Sequence, residues 1–300
     1  MAISRPMTAW TVRGRARLDA GDRTRIEGLR RACQAAEPLD LKIELDESEP
    51  LDRPIHFLAM GGDEVIGYSG VTHGDEAEAC GMVHPAWRRQ GIGTALLGAV
   101  RGAAASLGRQ SILVICEDAG PTAIEWMQRL GATLDSAERR MILPLTGPSP
   151  VAAETPLQIR PATDADRDTV VAIIGEDFDD YPDERRLVGI DGGEVVGTLR
   201  LTGSAQRSMI YGFVIDESRR GQHLGTRMLA PVIDQLRAEG VVEVGLEVDP
   251  DNTPALRLYE RYGFRPVTTY RYMCLAVTPP ALPGPSPARA PHAGAPSPGA

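Results

Sequence analysis

The strongest constraint on this chain is that it repeats itself. Gly61-Gly62-Asp63-Glu64-Val65-Ile66-Gly67 returns as Gly192-Gly193-Glu194-Val195-Val196-Gly197. Arg88-Arg89-Gln90-Gly91-Ile92-Gly93-Thr94 returns as Arg220-Gly221-Gln222-His223-Leu224-Gly225-Thr226, and Gln128-Arg129-Leu130-Gly131 as Glu260-Arg261-Tyr262-Gly263. The offsets are 130, 132 and 132, so three separated landmarks keep register across 300 residues. A duplicated domain explains that register and chance does not. The openings Val12-Arg13 and Ile159-Arg160 lie 147 apart, which places extra residues in the first copy, within 37–54.

The predicted organisation is an N-terminal extension (1–9), a first domain (10–145), a linker (146–156), a second domain (157–278) and a tail (279–300). The linker holds three prolines and a glycine. The tail is rich in Pro, Ala, Gly and Ser, with eight prolines, and cannot bury a core, so disorder is expected there. A net charge of −9 and a pI near 5.2 speak against a nucleic-acid binder. Residues 1–21 lack the apolar stretch of a secretory signal, and no run reaches the ~20 apolar residues of a spanning helix. A cytoplasmic monomer or homodimer is expected. Cys33, Cys80, Cys116 and Cys274 form no metal-ligand spacing and read as buried free thiols.

In the second copy, 164–174 reads as a helix capped by Thr163 or Asp164, and 186–190 with 194–201 as a hairpin turning at Asp191-Gly192-Gly193. Strand 208–215, a helix over 224–239 ended by Gly240, strand 241–248, helix 252–262 stopped by Gly263, and strand 270–277 follow. The fold class is therefore α/β with a mixed sheet, in two tandem domains, each mostly antiparallel and flanked by helices.

Each copy places an Arg/Gly-rich turn between a strand and a helix. Met82-Val83 leads to Arg88 through Gly93, and Val214-Ile215 leads to Arg220 through Gly225. A helix start offers free N–H groups and a positive dipole end, which suits a phosphate, and glycine allows close approach. Neither turn is a Walker loop or a G-x-G-x-x-G.

These turns, and the run Val248 through Asn252 to Tyr259 and Gly263-Phe264, resemble the GNAT superfamily of N-acetyltransferases over residues 10–277. Two such domains in about 300 residues are similar to the mycothiol synthase branch of that family. The resemblance implies acetyl-CoA as cosubstrate with no metal. The turn amides would hold its pyrophosphate, and strand 214–215 its pantetheine. An amine would attack the thioester directly. Tyr259 would protonate the departing thiolate, and Asn252 would orient cofactor and helix start. From spacing alone, Tyr259 reads rather as a core aromatic and Asn252 as a plain N-cap; the surrounding motif turns the reading of Tyr259 to the acid, and Asn252 can do both jobs. His223 replaces the loop glycine, where only its amide is needed. In the first copy Met127 aligns with Tyr259 and Gly120 with Asn252, so that domain keeps a cofactor turn without the acid.

The general base falls to Glu247, with Asp216 and Glu217 as alternatives. The run 176–184 holds six acids and reads either as a solvated loop or as an acceptor entrance, with Asp177, Asp179 and Asp180 the substrate-facing candidates. The expected acceptor is a primary amine of a small molecule; a cysteinyl amino-sugar and a non-catalytic acyl-CoA-binding role are the alternatives.

Overall fold

A computed structural model describes residues 9–43, 45, 54–72, 76–147, 155–175 and 184–278. The first half runs β1 (Thr11–Arg15), α1 (Ala20–Ala36), β2 (His56–Gly61), β3 (Glu64–Val71), β4 (Glu78–Val83), α2 (Ile92–Ser106), β5 (Ser111–Glu117), α3 (Pro121–Arg129) and β6 (Thr133–Pro144). The second runs β7 (Gln158–Pro161), α4 (Arg167–Ile174), β8 (Arg185–Asp191), β9 (Glu194–Gly203), β10 (Arg207–Ile215), α5 (Leu224–Ala238), β11 (Glu243–Val248), α6 (Thr253–Tyr262) and β12 (Arg265–Ala276). Among the described residues no helix is long and apolar enough to cross a membrane.

Local chemistry explains the element ends. Thr163 and Asp166 form a reciprocal capping box ahead of α4, and Gly175 ends that helix at φ 75°. Gly263 ends α6 at φ 92°. Tyr262, fully buried, donates its hydroxyl to the Thr226 carbonyl (2.8 Å), tying α6 to α5. The Pro/Ala-rich tail and most of the linker lie outside the described residues.

All twelve strands form one sheet in the order β1-β2-β3-β4-β5-β12-β6-β11-β10-β9-β8-β7. The last strand of each half has crossed over. β6 pairs with β11 of the second half, and β12 pairs with β5 of the first. The two exchanged strands pair antiparallel with each other at the centre. There Glu138 faces Tyr270, and the bulged residues Asp135 and Val267 fall at matching places. Both pairs are 132 residues apart, the repeat offset, so a pseudo-twofold axis passes between Glu138 and Tyr270. The repeat is thus expressed as an internal dimer, each half completing the other's sheet.

Two cores lie on one face of the sheet. One is built from α2, α3 and their strands around Ile92, Leu96, Val100 and Met127; the other from α5 and α6 around Met228, Leu229, Tyr259 and Tyr262. On the opposite face α1 packs through Ile26, Leu29 and Cys33, and α4 through Val170. Tyr270 and Tyr272 of β12 cluster with Leu113 and Ile115 near the axis.

Candidate active site

In each half two parallel strands start side by side and then separate. β10 pairs with β11 only from Arg207–Glu243 to Ile210–Leu246, and β4 with β5 only at Glu78–Leu113 and Ala79–Val114. Past those pairs one edge of β10 and of β4 carries unpaired backbone groups facing a fork. Such an edge can take an extended ligand as an added strand. Val214 and Ile215, and Met82 and Val83, sit on these edges; Met82 and Val83 both line the first fork, and the Met82 side chain is buried in the core under α1.

The halves differ at the fork. β4 keeps unbroken register with β3 from Val71–Ala79 to Gly67–Val83. β10 bulges against β9 between Tyr211 and Val214, with Gly212 at φ 53°. A bulge leaves backbone groups out of the ladder and re-aims them. Both forks have an unpaired strand edge, and only the one in the second half has its strand bent by a bulge.

Both turns have one backbone shape written with different residues. Two left-handed positions alternate in each: Arg89 (φ 62°) and Gly91 (φ 83°) in the first, Gly221 (φ 81°) and His223 (φ 58°) in the second. One position per turn is a glycine and the other a strained L-residue, in opposite order. Gly91 and His223 stand at the N-cap positions of α2 and α5, and neither helix has a side-chain cap. The first-turn amides of Ile92, Gly93 and Thr94, and of Leu224, Gly225 and Thr226, are therefore not claimed by a cap. Gly93 faces Trp126 and Gly225 faces Leu258, where an added Cβ would approach to 3.5 and 3.2 Å. Arg89, Gln90, Gly221 and Gln222 are exposed on the turns. Both turns thus fit an anionic pyrophosphate.

The two arginines are used differently. Arg88 forks onto Glu37 and donates Nε to the Val83 carbonyl (3.1 Å), so it braces its own strand. Arg220 projects outward in an exposed pair with Glu217 (3.0 Å). The first fork opens into a cleft of about 860 Å³ lined by Trp87, the turn, Glu117 and Trp126, within the size range of ligand pockets.

Beneath the second fork, Asn252 caps α6, accepting from the Ala255 amide (3.2 Å), and Tyr259 lies two turns on. Tyr259 is 6% exposed, packs against Phe264 (5.6 Å between rings), and its hydroxyl has no hydrogen-bond partner among the described residues. Burial pushes its pKa up to about 12, so the phenol stays protonated across neutral pH. In the first half Gly120 occupies the Asn252 place at the N-cap of α3, and Met127, 1% exposed, occupies that of Tyr259.

Glu247 is the first residue of β11 beyond the last β10 pair, on the face opposite α6. Its carboxylate binds Lys42 Nζ (2.7 Å), with Arg140 at 3.8 Å. Burial raises its pKa against the opposing pull of Lys42, and the neighbouring Glu138 carboxyl adds to the rise. Of the other two acids, Asp216 caps a short turn by accepting from the Ser218 amide (2.9 Å), and Glu217 is the exposed partner of Arg220. Asp177, Asp179 and Asp180 lie outside the described residues; Glu184, at the end of that run, pairs with Arg200 (2.9 Å). Lys42, Glu138, Arg140 and Tyr272 form a cluster that sequence reasoning missed. The run Glu138-Arg139-Arg140 in β6 was the available signal, but alone it reads as a solvent face.

A forked mixed sheet with a bulged strand, a turn leading into an uncapped helix start and a capped helix carrying a buried tyrosine accords with an acyl-CoA-dependent N-acetyltransferase. The acetyltransferase (GNAT) family model matches residues 25–132 and 156–264, and the chain belongs to that family, whose enzymes use acetyl-CoA as cosubstrate. Among curated relatives, it is 27% identical to the mycothiol acetyltransferase of Sanguibacter keddieii, over 81% of this chain and 90% of that one. It is 33% identical to that of Clavibacter sepedonicus, over 71% and 78%. The fold matches a GNAT-type N-acetyltransferase from Sphaerobacter thermophilus (TM-score 0.70, 22% identity, 92% of this chain and 98% of that one). It also matches a tandem GNAT protein from the clavulanic acid biosynthesis pathway (TM-score 0.65, 19% identity, 91% and 100%).

Proposed function

We propose that the second half transfers the acetyl group to a primary amine of a small molecule. The observation that carries this reading is the asymmetry of the forks: the bulged β10 and Tyr259 stand in the second half, where the first has an unbroken β4 and Met127. Acetyl-CoA supplies an activated acyl group. Amides of 224–226 and Arg220 hold its phosphates, and the free edge of β10 aligns the thioester arm. Unpaired donors at the bulge face the developing oxyanion, where fixed dipoles are most effective. Glu247 takes the proton lost by the amine. Tyr259 gives one to the departing sulfur, a phenol being a protonated donor to a thiol of pKa ~8.5. Asn252 holds the start of α6, and with it Tyr259.

The narrower reading, an amine on a cysteinyl amino-sugar, is favoured by the two relatives named as mycothiol acetyltransferases. The deciding experiment presents acetyl-CoA with amino sugars, cysteinyl amides and polyamines and follows release of free CoA thiol. Amine-dependent release is expected. Release no faster than in buffer for every amine would count against the reading.

A further inference from the structure

Lys42 belongs to the first half by sequence and to the second by contact. The segment after α1 crosses the sheet centre: the amides of Asp40 and Leu41 donate to Glu117 (2.9 and 2.6 Å), anchoring it to β5. Asp40 accepts from the Tyr270 hydroxyl of β12 (2.5 Å) and lies 3.6 Å from Arg140 of β6. That anchoring aims Lys42 over the exchanged strands. Its ammonium has three N–H groups and meets three acceptors: Glu247 (2.7 Å), the Tyr272 hydroxyl (2.6 Å) and Glu138 (3.2 Å). It also lies 5.3 Å from the ring centres of both Tyr270 and Tyr272, within cation–π range.

We propose that Lys42 is a positioning residue for the second half's chemistry: the first half supplies it to fix the place and charge of the Glu247 carboxylate at the fork. The inference rests on the reading of Glu247 as proton acceptor. Two features argue that this is more than a surface pair. The Glu247 side chain is only 9% exposed and the Lys42 side chain 20%, so solvent screens them weakly. The carboxylate is also fixed within an enclosed set of partners. Among the described residues, the charged and titratable groups around it are Lys42 and Asp40 from the α1–β2 segment, Glu138 and Arg140 from β6, and Tyr270 and Tyr272 from β12. Lys42 alone touches both carboxylates. Glu247 and Glu138 are close enough to share a proton, burial and Glu138 favouring its retention on Glu247 and Lys42 opposing it. Removing the ammonium would leave the buried Glu247 carboxyl beside the partly exposed Glu138, with Arg140 at 3.8 Å as the remaining cation, and two neighbouring carboxyls then favour keeping a proton between them.

The test uses the full chain as wild type, Lys42→Met, Lys42→Gln, Lys42→Arg and Glu247→Gln. Carboxyl carbon NMR across pH reads the Glu247 midpoint, assigned by the signal lost in Glu247→Gln. Acetyl-CoA with glucosamine as probe amine reads the low-pH limb of kcat/KM. In Lys42→Met and Lys42→Gln the midpoint should rise by at least about one unit, so that the ionised fraction below it falls roughly tenfold. The kinetic limb should move with it, and Lys42→Arg should restore both. Lys42→Gln keeps a hydrogen-bonding side chain, so it serves if Lys42→Met fails to fold. An inactive Glu247→Gln beside unmoved midpoint or limb in the uncharged variants overturns this inference alone. A wild-type rate in Glu247→Gln overturns the proton-acceptor assignment and the inference together.

Discussion

Replacing Tyr259 by Phe should make the enzyme slower and no less stable. The substitution removes one hydroxyl and keeps the ring that packs on Phe264. Leaving a buried hydroxyl unpaired costs ~1–3 kcal/mol by protein mutational data. Replacing such a group by apolar surface of the same shape is neutral to stabilising. Tyr259 retains 6% exposure, so the gain belongs at the low end, between zero and about 1 kcal/mol. For domains of 150–250 residues, 1 kcal/mol moves the melting temperature by ~2–4 °C. Turnover should fall ~10²-fold or more, the size of a lost general acid, while acetyl-CoA still binds. Alkaline pH adds a second signature. The folded-state pKa, about 12, lies above the ordinary tyrosine value, so the tyrosine's contribution is intact below pH ~10 and is lost as pH rises toward the folded value. The variant lacks that loss, and its stability relative to wild type should grow above pH ~10. Thermal melts across pH and CoA-thiol release measure all three. A wild-type turnover would remove Tyr259 from the mechanism. A fall of several degrees in melting temperature would show that the hydroxyl holds the fold, and would void the kinetic reading.

Three further outcomes follow from the site. Gly225→Asp should abolish acetyl-CoA binding at the second turn and Gly93→Asp at the first, an inserted carboxylate repelling the pyrophosphate; calorimetry showing one site lost only with Gly225→Asp would make the first half a scaffold. His223→Gly should relieve the left-handed strain at φ 58°, worth up to about 1 kcal/mol after glycine's own entropy, and leave turnover unchanged; a large rate loss would give the imidazole a role. Asp177, Asp179 and Asp180 together changed to Asn should raise KM for a cationic acceptor and spare KM for acetyl-CoA, with affinity weakening in salt; a kinetically silent triple variant would make the run a solvated loop.

Much of the second half was legible because its signals are local. Asp191-Gly192-Gly193 turns the β8–β9 hairpin, Gly240 and Gly263 sit at positive φ where helices end, and Asn252 caps α6. The turns were legible as strand–turn–helix units because their parts are consecutive in sequence. What could not be read was which strands become neighbours. Alternation tells which side chains share a face, not what lies beside them, so β6 and β12 each look like the closing strand of their own half. The bulge in β10 was equally hidden, since Gly212 in a strand pattern fits several geometries. Glu247 was visible as an acid on a strand. Its partner lies 205 residues away in sequence, and only the crossing of the α1–β2 segment brings it near.

The exchange of strands also explains how the first half can differ so much in its chemistry and still be indispensable. On the proposed mechanism, Met127 and Gly120 leave it without a proton donor and without an orienting amide. Its structural contribution cannot be dropped in the same way. β6 covers the full length of β11, from Glu243–Pro144 to Val248–Arg139, and without it the strand carrying Glu247 would be an open sheet edge. Arg140 and Glu138 come from that same strand and Lys42 from the segment above it, so the surroundings of Glu247 are built mostly by the first half. The first half thus supports the second through β6 and the Lys42 segment, and neither contribution depends on the form of its own fork, where β4 is unbroken, Arg88 turns onto Glu37 and Met127 is buried.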